Sequence, residues 1–301
     1  MKRLLIPLVV ALLLPAVHAQ FGGRKDEAVI YLLTSKGRGD LRTAAPAANP
    51  GTGFEVINPA VVPVSVISND FAAKKVRVLH READDVFQWI SQEERTSTPR
   101  ASIQNIAKVF FFRGLLRDDN RGSVSQLPLD ATGGLYIPYL PGVSSGPDVA
   151  IETSEYLFWT PKGNSLPFVQ VPLQTPSSIG PAGLTGIELE AFSGAAPFFL
   201  PWTNLRRLYP NQGWPPGMDV KIIDVDPSTA NTTQLLRLRP GTKTPRFSIP
   251  GNTHMFVLEG EVNITTAAGS STLVKREWYS FLPANFSISI SNPKTYQGPG
   301  Q

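Results

Sequence analysis

A stretch of 21 residues occurs twice in this chain, and the two copies align without a gap. Residues 96–116 read TSTPRASIQNIAKVFFFRGLL, and residues 242–262 read TKTPRFSIPGNTHMFVLEGEV. The copies share a Thr-x-Thr-Pro-Arg turn, a Ser-Ile pair, a phenylalanine and a glycine. An internal repeat indicates one supersecondary unit used twice, and these copies are too far apart for a solenoid. We therefore predict two domains of similar fold, each of about 100–150 residues.

Short apolar runs surround both copies in the same order, each ending at a polar turn, a proline or a glycine. They lie at 76–79, 86–90 and 108–112 in the first half and at 220–225, 234–238 and 254–258 in the second. The 301 residues include 25 Gly and 28 Pro, and no apolar stripe of helical period persists beyond a few turns. Such spacing is typical of an antiparallel sandwich or barrel. The fold class predicted is all-β.

The N-terminus has the pattern of a signal peptide. Lys2 and Arg3 form a basic start, 4–14 is apolar, and 17–19 supplies small residues for cleavage before Gln20. We expect an exported protein, periplasmic or secreted, with no membrane span in the mature chain. The predicted divisions are a signal peptide 1–19, a first barrel 20–160, a Pro-rich linker 161–183, a second barrel 184–296 and a tail 297–301.

The composition excludes some functions. The chain has no cysteine, so stability must come from packing rather than from disulfides. Its formal charge is +4, and the charges are scattered without a basic stripe or interleaved aromatic residues. Nucleic acid is therefore not an expected partner.

The second copy resembles a cupin. Residues 239–241 (RPG), 256–262 (FVLEGEV), 281–283 (FLP) and Asn292 match the two cupin motifs in order and spacing. The preceding residues 201–202 (PW) and 214–217 (WPPG) are similar to the lead-in of sensor cupins related to anti-sigma factors. Together with the repeat, the resemblance implies a bicupin, in which two antiparallel jelly-roll barrels share one chain.

Metal-binding cupins hold iron, manganese, zinc or nickel with three histidines and a glutamate. In the second copy these positions fall on Phe247, Ile249, Thr253 and Ile288, and in the first on Ala101, Ile103, Ala107 and about Val143. None of the eight carries an imidazole or a carboxylate, the donors that such metals need. We therefore predict no metal and no cofactor, and the metal-dependent activities of the family are not carried over.

The residues at the former ligand positions leave two interpretations open. Strand alternation keeps them pointing into the barrel. Phe247, Ile249 and Ile288 then either form a solid apolar core or line an apolar ligand cavity, with Thr253 as its polar group.

A few polar residues are further candidates for binding. Arg100 and Arg246 occupy the same place in the two copies, where a guanidinium can clasp a carboxylate or form a structural ion pair. His80 stands beside acidic residues at a predicted turn. His254 follows Thr253, so we expect it to face away from the cup, outward or into an interface.

The sequence favours a non-catalytic binding or structural module for a small molecule, a glycan or a partner protein, and a homodimer is possible. Exposed aromatic residues would provide its surface, and the candidates are Trp89, Trp159, Trp202, Trp214 and Tyr139. The alternative is a metal-independent carbohydrate isomerase or epimerase that uses His80 or Arg246.

Overall fold

The computed structural model describes residues 26–43, 53–66, 74–99, 101–103, 106–118, 123–124, 135–139, 144–145, 148–161, 168–170 and 200–295. Several predicted features lie outside these residues: the signal peptide 1–19, Arg100, Val143, most of the linker 161–183 and the tail 297–301. The described part of the chain contains no helix with the length and apolarity needed to cross a membrane.

The second barrel consists of two facing sheets. The larger contains, in spatial order, β17 (Thr203–Asn204), β18 (Met218–Val225), β19 (Thr232–Leu238), β1 (Ala28–Lys36), β21 (Asn252–Glu259), β24 (Tyr279–Leu282) and β3 (Glu55–Ile57). The smaller contains β2 (Arg42–Thr43), β20 (Phe247–Ser248), β25 (Ile288–Ser291), β22 (Glu261–Thr266) and β23 (Ser271–Lys275). A short helix α1 (Leu205–Leu208) follows β17.

The first barrel repeats this plan with a six-stranded sheet and two small ones. The large sheet contains β12 (Leu135–Tyr139), β9 (Ala107–Arg113), β15 (Ser154–Thr160), β6 (Asp85–Gln92), β5 (Lys74–Glu82) and β4 (Ser65–Val66). One small sheet contains β11 (Ser123–Val124), β10 (Leu116–Asp118), β14 (Asp148–Ala150) and β7 (Ser97–Thr98). The other contains β13 (Ser144–Ser145), β8 (Ala101–Ile103) and β16 (Phe168–Gln170). A 3₁₀ turn, Pro59–Val61, precedes β4. The prediction of an all-β chain with two antiparallel jelly-roll barrels is confirmed.

Strand alternation divides the core into three layers. In β21, Met255 and Val257 point into the second barrel, whereas Phe256 and Leu258 point to the opposite face. That opposite face packs against the large sheet of the first barrel, and Phe110 on β9 belongs to this middle layer. Since both faces of the large sheets are buried, their strands read as continuous apolar runs rather than as alternating ones.

The N-terminal strand β1 belongs to the second barrel. Tyr31 on β1 pairs with Leu235 on β19 and with Phe256 on β21. In the first barrel the equivalent slot is filled by β15, where Leu157 pairs with Trp89 and Phe110. The strands β2 and β3 also pair within the second barrel.

This arrangement differs from the sequence-based division, which placed all of 20–160 in one barrel. In the first repeat, the strand between β6 and β9 is β15, from the C-terminal end of the same repeat. The second repeat obtains the strand from the beginning of the chain, because burying the apolar run of β1 between two strands satisfies both of its backbone edges.

Two glycines of the repeat support the equivalence of β15 and β1. Gly114 follows β9 and Gly260 follows β21, and both have positive φ, +91° and +68°. A Cβ on Gly114 would meet the Thr153 carbonyl oxygen just before β15, at 2.2 Å. A Cβ on Gly260 would meet the Glu27 carbonyl oxygen just before β1, at 2.6 Å. Only glycine fits either turn, both for its φ and for the close approach of the slot strand.

Candidate functional site

The cup of the second barrel is filled by its own side chains. Phe247 and Ile288 are paired across β20 and β25, and both are buried. Phe247 packs against Trp214 with ring centroids 5.4 Å apart, and Ile249, 3% exposed, joins the same cluster. Such burial corresponds to the solid-core interpretation, because a side chain that touched a water-filled cavity would be exposed there.

The fourth cup position, Thr253, is buried and already satisfied. Its hydroxyl donates to the Gly251 carbonyl oxygen at 3.1 Å. The hydroxyl therefore caps its own turn, and it is not a free polar group for a ligand.

A loop from the N-terminal segment closes the mouth of this cup. Residues 37–41 follow β1, and Leu41 inserts into the barrel core with 1% exposure. The Gly39 carbonyl oxygen accepts hydrogen bonds from Thr232 and from Gln234, each at 3.3 Å. The Gly251 amide donates to the Arg38 carbonyl oxygen at 2.9 Å. We call residues 37–41 the plug loop.

The two predicted arginines do not form a site in the described residues. Arg246 is exposed, and its Nη2 donates to the Ala267 carbonyl oxygen at 3.1 Å. This contact is the structural alternative considered for it. Its counterpart Arg100 lies outside the described residues.

His80 lies in the layer between the two large sheets. Its ring stacks on Phe281 with centroids 4.1 Å apart and meets His254 edge-on at 5.3 Å. Within the described part of the chain its Nε2 has no hydrogen-bond partner, and a carboxylate oxygen of Glu82 lies 3.7 Å away. Burial, together with the nearby His254, lowers the pKa of His80, so the ring is neutral at pH 7.

The same layer holds a buried network around His254 that the sequence did not reveal. His254 Nε2 lies 2.8 Å from Asp85 Oδ1, and its Nδ1 lies 2.7 Å from the Tyr279 hydroxyl. Asp85 also accepts from Trp159 Nε1 at 2.7 Å and from the Ser35 hydroxyl. His254 does face away from the cup, and the surface it meets is the first barrel.

Burial and hydrogen bonding act oppositely on Asp85. Burial raises the pKa of this carboxyl, but the hydrogen bonds from His254, Ser35 and Trp159 outweigh it and lower the pKa to about 2. The ionised carboxylate requires the proton of His254 on Nε2. Burial, reinforced by Asp85 and Glu55, raises the pKa of Tyr279 well above its usual value, so its hydroxyl is neutral. The network can hold a proton in place, but every one of its members is enclosed.

A second cluster, in which Lys108 is buried and Asp224 half-buried, occupies the position related to this network by the repeat. Lys108 takes the place of His254 in the repeat. Asp224 takes the place of His80, because each directly follows a register shift in its hairpin: Asp224 on β18 pairs with Thr233 on β19, and His80 on β5 pairs with Phe87 on β6. Lys108 Nζ lies 3.2 Å from Asp224 Oδ2, which also accepts from the Tyr136 hydroxyl at 2.7 Å. The two clusters join the barrels at two points of the same interface.

The aromatic residues considered for an exposed binding surface are mostly enclosed. Trp89, Trp159, Trp214 and Tyr139 are buried, and Trp202 is half-buried. Trp202 is covered by Arg237, whose guanidinium lies 4.5 Å from the ring centroid. The prediction of an exposed aromatic surface is therefore wrong for these residues, because they serve as core.

The second barrel carries an open cavity at the end opposite the plug loop. The cavity has a volume of about 720 Å³ and is lined by Asp26 and Glu27 before β1, by 215–217 before β18 and by 239–243 after β19. Because β1 spans nine residues, or roughly 30 Å, the cavity and the plug loop are at opposite ends of the barrel. The wall of the cavity therefore carries the carboxylates of Asp26 and Glu27 together with the cationic side chains of Arg239 and Lys243.

Solved structures of cupins share this arrangement of barrels. A putative dioxygenase from Nostoc punctiforme superposes with a TM-score of 0.60 and 14% identity, over 86% of this chain and 84% of that one. The chain has the cupin fold. No protein-family model matches the sequence, and no curated protein matches it.

Two further cupins extend the comparison over most of the chain. A variant of salicylate 1,2-dioxygenase from Pseudoaminobacter salicylatoxidans, in complex with gentisate, has a TM-score of 0.52 and 14% identity, over 98% of this chain and 90% of that one. Oxalate decarboxylase from Bacillus subtilis has a TM-score of 0.50 and 12% identity, over 81% and 75%. At such identities the likeness concerns the fold alone.

The metal of the cupin fold does not fit the residues of this cup. Phe247, Ile249 and Ile288 offer no donor atom, and the Thr253 hydroxyl is committed to Gly251. At the first-barrel positions, Ala107 is a buried core residue without a donor. Among the described residues, no group of three or more His, Cys, Asp or Glu side chains could hold a metal ion.

Proposed function

We propose that this protein is an exported, non-catalytic cupin that binds a small molecule in the open cavity of its second barrel. The cavity itself carries the proposal: at about 720 Å³ it has the size of a small-molecule site, and charged groups of both signs line it. The filled cup adds support, since Phe247 and Leu41 occupy the space that a cupin would otherwise offer to a ligand.

The alternative functions receive less support. A metal-independent isomerase needs a base within reach of substrate, and both His80 and His254 are buried. A glycan-binding surface would use exposed aromatic rings, and Trp89, Trp159 and Trp214 are in the core. Partner-protein binding and a homodimer stay predictions from the sequence.

The proposal can be tested by blocking the cavity. Pro216 is exposed on its rim, so Pro216→Trp is expected to fill the space without disturbing the core. Pro63→Trp, at an exposed position in the N-terminal half, is the matched control. Amino acids, short peptides, sugars and organic acids would be screened by thermal shift on the mature chain.

At a ligand concentration of about 100 Kd, a native-state ligand adds about 2.7 kcal/mol. We expect at least one compound class to raise Tm by several degrees in wild type and in Pro63→Trp, but not in Pro216→Trp. The proposal is wrong if no class stabilises the protein, or if the stabilisation persists when the cavity is blocked.

A further inference from the structure

Glu27 brings a largely buried carboxylate to the wall of the open cavity. Its side chain is only 8% exposed, and the residue lines the cavity just before β1. The nearest cation atom is Arg237 Nε, 3.9 Å away, which is too far for a hydrogen bond. No hydrogen bond to the Glu27 side chain occurs in the described part of the chain. The carboxylate faces the open cavity rather than a sealed core, so an N–H donor of a ligand would reach it and form a charge-assisted hydrogen bond.

Arg237 forms only a long ion pair with Glu27, because the rest of its guanidinium is engaged elsewhere. Its Nη2 donates to Asp219 Oδ2 at 2.7 Å, and its guanidinium stacks on Trp202. Its Nε, the atom nearest Glu27, is buried and has no hydrogen-bond partner among the residues that the structure describes. Among the described residues, the Glu27 carboxylate therefore has only this long ion pair with Arg237, and a group that enters from the cavity can form a hydrogen bond to it.

The other charged groups of the cavity define what that group is attached to. Asp26 lies next to Glu27, so this part of the wall is anionic. Lys243 lines the same cavity, is exposed and makes no ion pair with a described residue. Arg239 adds a second cation, only loosely paired with Asp219 at 3.5 Å. The wall thus offers two carboxylates and two cations to one ligand.

We infer that the cavity binds a zwitterionic ligand of the amino-acid and short-peptide class, with its ammonium group on Glu27 and its carboxylate near Lys243. The inference rests on the proposed function and specifies its ligand. An ammonium supplies three N–H donors to a carboxylate that has none, and charge-assisted hydrogen bonds are the stronger kind. Prolines 215, 216 and 240 give the cavity rigid, mostly apolar walls that suit a small side chain or a peptide backbone.

The test uses trialanine and two derivatives, each lacking one charge. N-acetyl-trialanine has no ammonium group, and trialanine amide has no carboxylate. Binding to the mature full-length chain would be measured by isothermal titration calorimetry for wild type, Glu27→Gln and Lys243→Gln. Glu152→Gln, at an exposed carboxylate outside the cavity, is the control.

We expect trialanine to bind wild type and Glu152→Gln equally, and Glu27→Gln about tenfold or more weakly. N-acetylation should weaken binding to wild type by a similar factor and leave binding to Glu27→Gln unchanged, because both changes remove the same pair. Amidation should likewise weaken binding to wild type and leave binding to Lys243→Gln unchanged, because both changes remove the pair between Lys243 and the ligand carboxylate. Since Lys243 is exposed, that variant is expected to fold even if Glu27→Gln does not.

Each other outcome overturns the inference. If the N-acetyl derivative binds as well as trialanine, the ammonium does not contact Glu27. If trialanine does not bind but a neutral or anionic compound from the thermal-shift screen does, the zwitterion assignment fails while the proposed function stands. If nothing binds in the cavity, the proposed function fails with it.

Discussion

His254 Nε2 lies 2.8 Å from Asp85 Oδ1, so one hydrogen bond between two fully buried side chains joins the second barrel to the first. His254 comes from β21 and Asp85 from the first position of β6, in the layer where the two large sheets meet. Several properties of the protein depend on this layer and on the strands around it.

Breaking the pair should destabilise the chain strongly. Asp85→Asn removes a charge that accepts from His254, Ser35 and Trp159, and we expect a loss of about 3–5 kcal/mol in the free energy of unfolding. Urea denaturation would measure the loss. The control is Asp84→Asn, since Asp84 is exposed and its ion pair with Lys36 is worth less than about 1 kcal/mol. Equal effects of the two substitutions would contradict a structural role for the buried pair.

The same carboxyl predicts acid sensitivity. The folded pKa of Asp85, about 2, lies below the ordinary value of 3.8, so its contribution to stability is present above about pH 4 and is lost as the pH falls toward 2. The contribution is on the order of 2 kcal/mol. The difference in unfolding free energy between wild type and Asp85→Asn should shrink by about 2 kcal/mol between pH 4 and 2. A constant difference across this window would show that Asp85 does not titrate as described.

The filled cup predicts a large cost for truncation. Phe247→Ala should lose about 3–5 kcal/mol, because the ring is buried against Trp214. Phe247→His together with Ile249→His should lose roughly 1–3 kcal/mol for each ring left without a partner. Arg246→Ala, beside them but exposed, is the control and should change stability by about 0.5 kcal/mol or less. Thermal melts that shift by only a degree for the cup variants would mean that the cup is open.

The position of β1 predicts that the second barrel cannot fold from its own repeat. A fragment of residues 200–295 lacks Ala28, Ile30 and Leu32 of the barrel core and leaves β19 and β21 each with an unpaired edge. We expect it to be unfolded by circular dichroism and to fold when a peptide of residues 26–58 is added. Cooperative unfolding of the fragment alone would refute this expectation.

A permuted chain provides the positive control for that fragment. Asn292 Nδ2 donates to the Asp26 carbonyl oxygen at 2.8 Å, so the two ends of the described chain are adjacent. A chain that runs 74–295 and continues into 26–66 through a short linker should therefore fold and keep the stability of wild type to within about 1–2 kcal/mol.

Local patterns were enough to predict the barrels and the inward positions of the cup. The repeat matched Gly114 with Gly260, and alternation from Thr253 turned His254 away from the cup. The contacts that depend on distant parts of the chain could not be predicted. Nothing near His254 in the sequence points to Asp85, which is 169 positions away, and the run at Ala28 reads equally well as a strand of either barrel. Glu27 gives no signal at all in the sequence, because its significance lies in the hydrogen-bond donor that it lacks.

The location of β1 also sets the order in which the protein can be completed. Its partners on β19 and β21 are roughly 200 residues away, so the first of the described strands can be paired only after most of the described chain has been synthesised. Contacts of such long sequence separation make folding slow and leave apolar strands exposed for longer. β1 can be paired only after β19 and β21 have been synthesised, so a product truncated before them would carry an unmatched AVIYLL segment prone to aggregate.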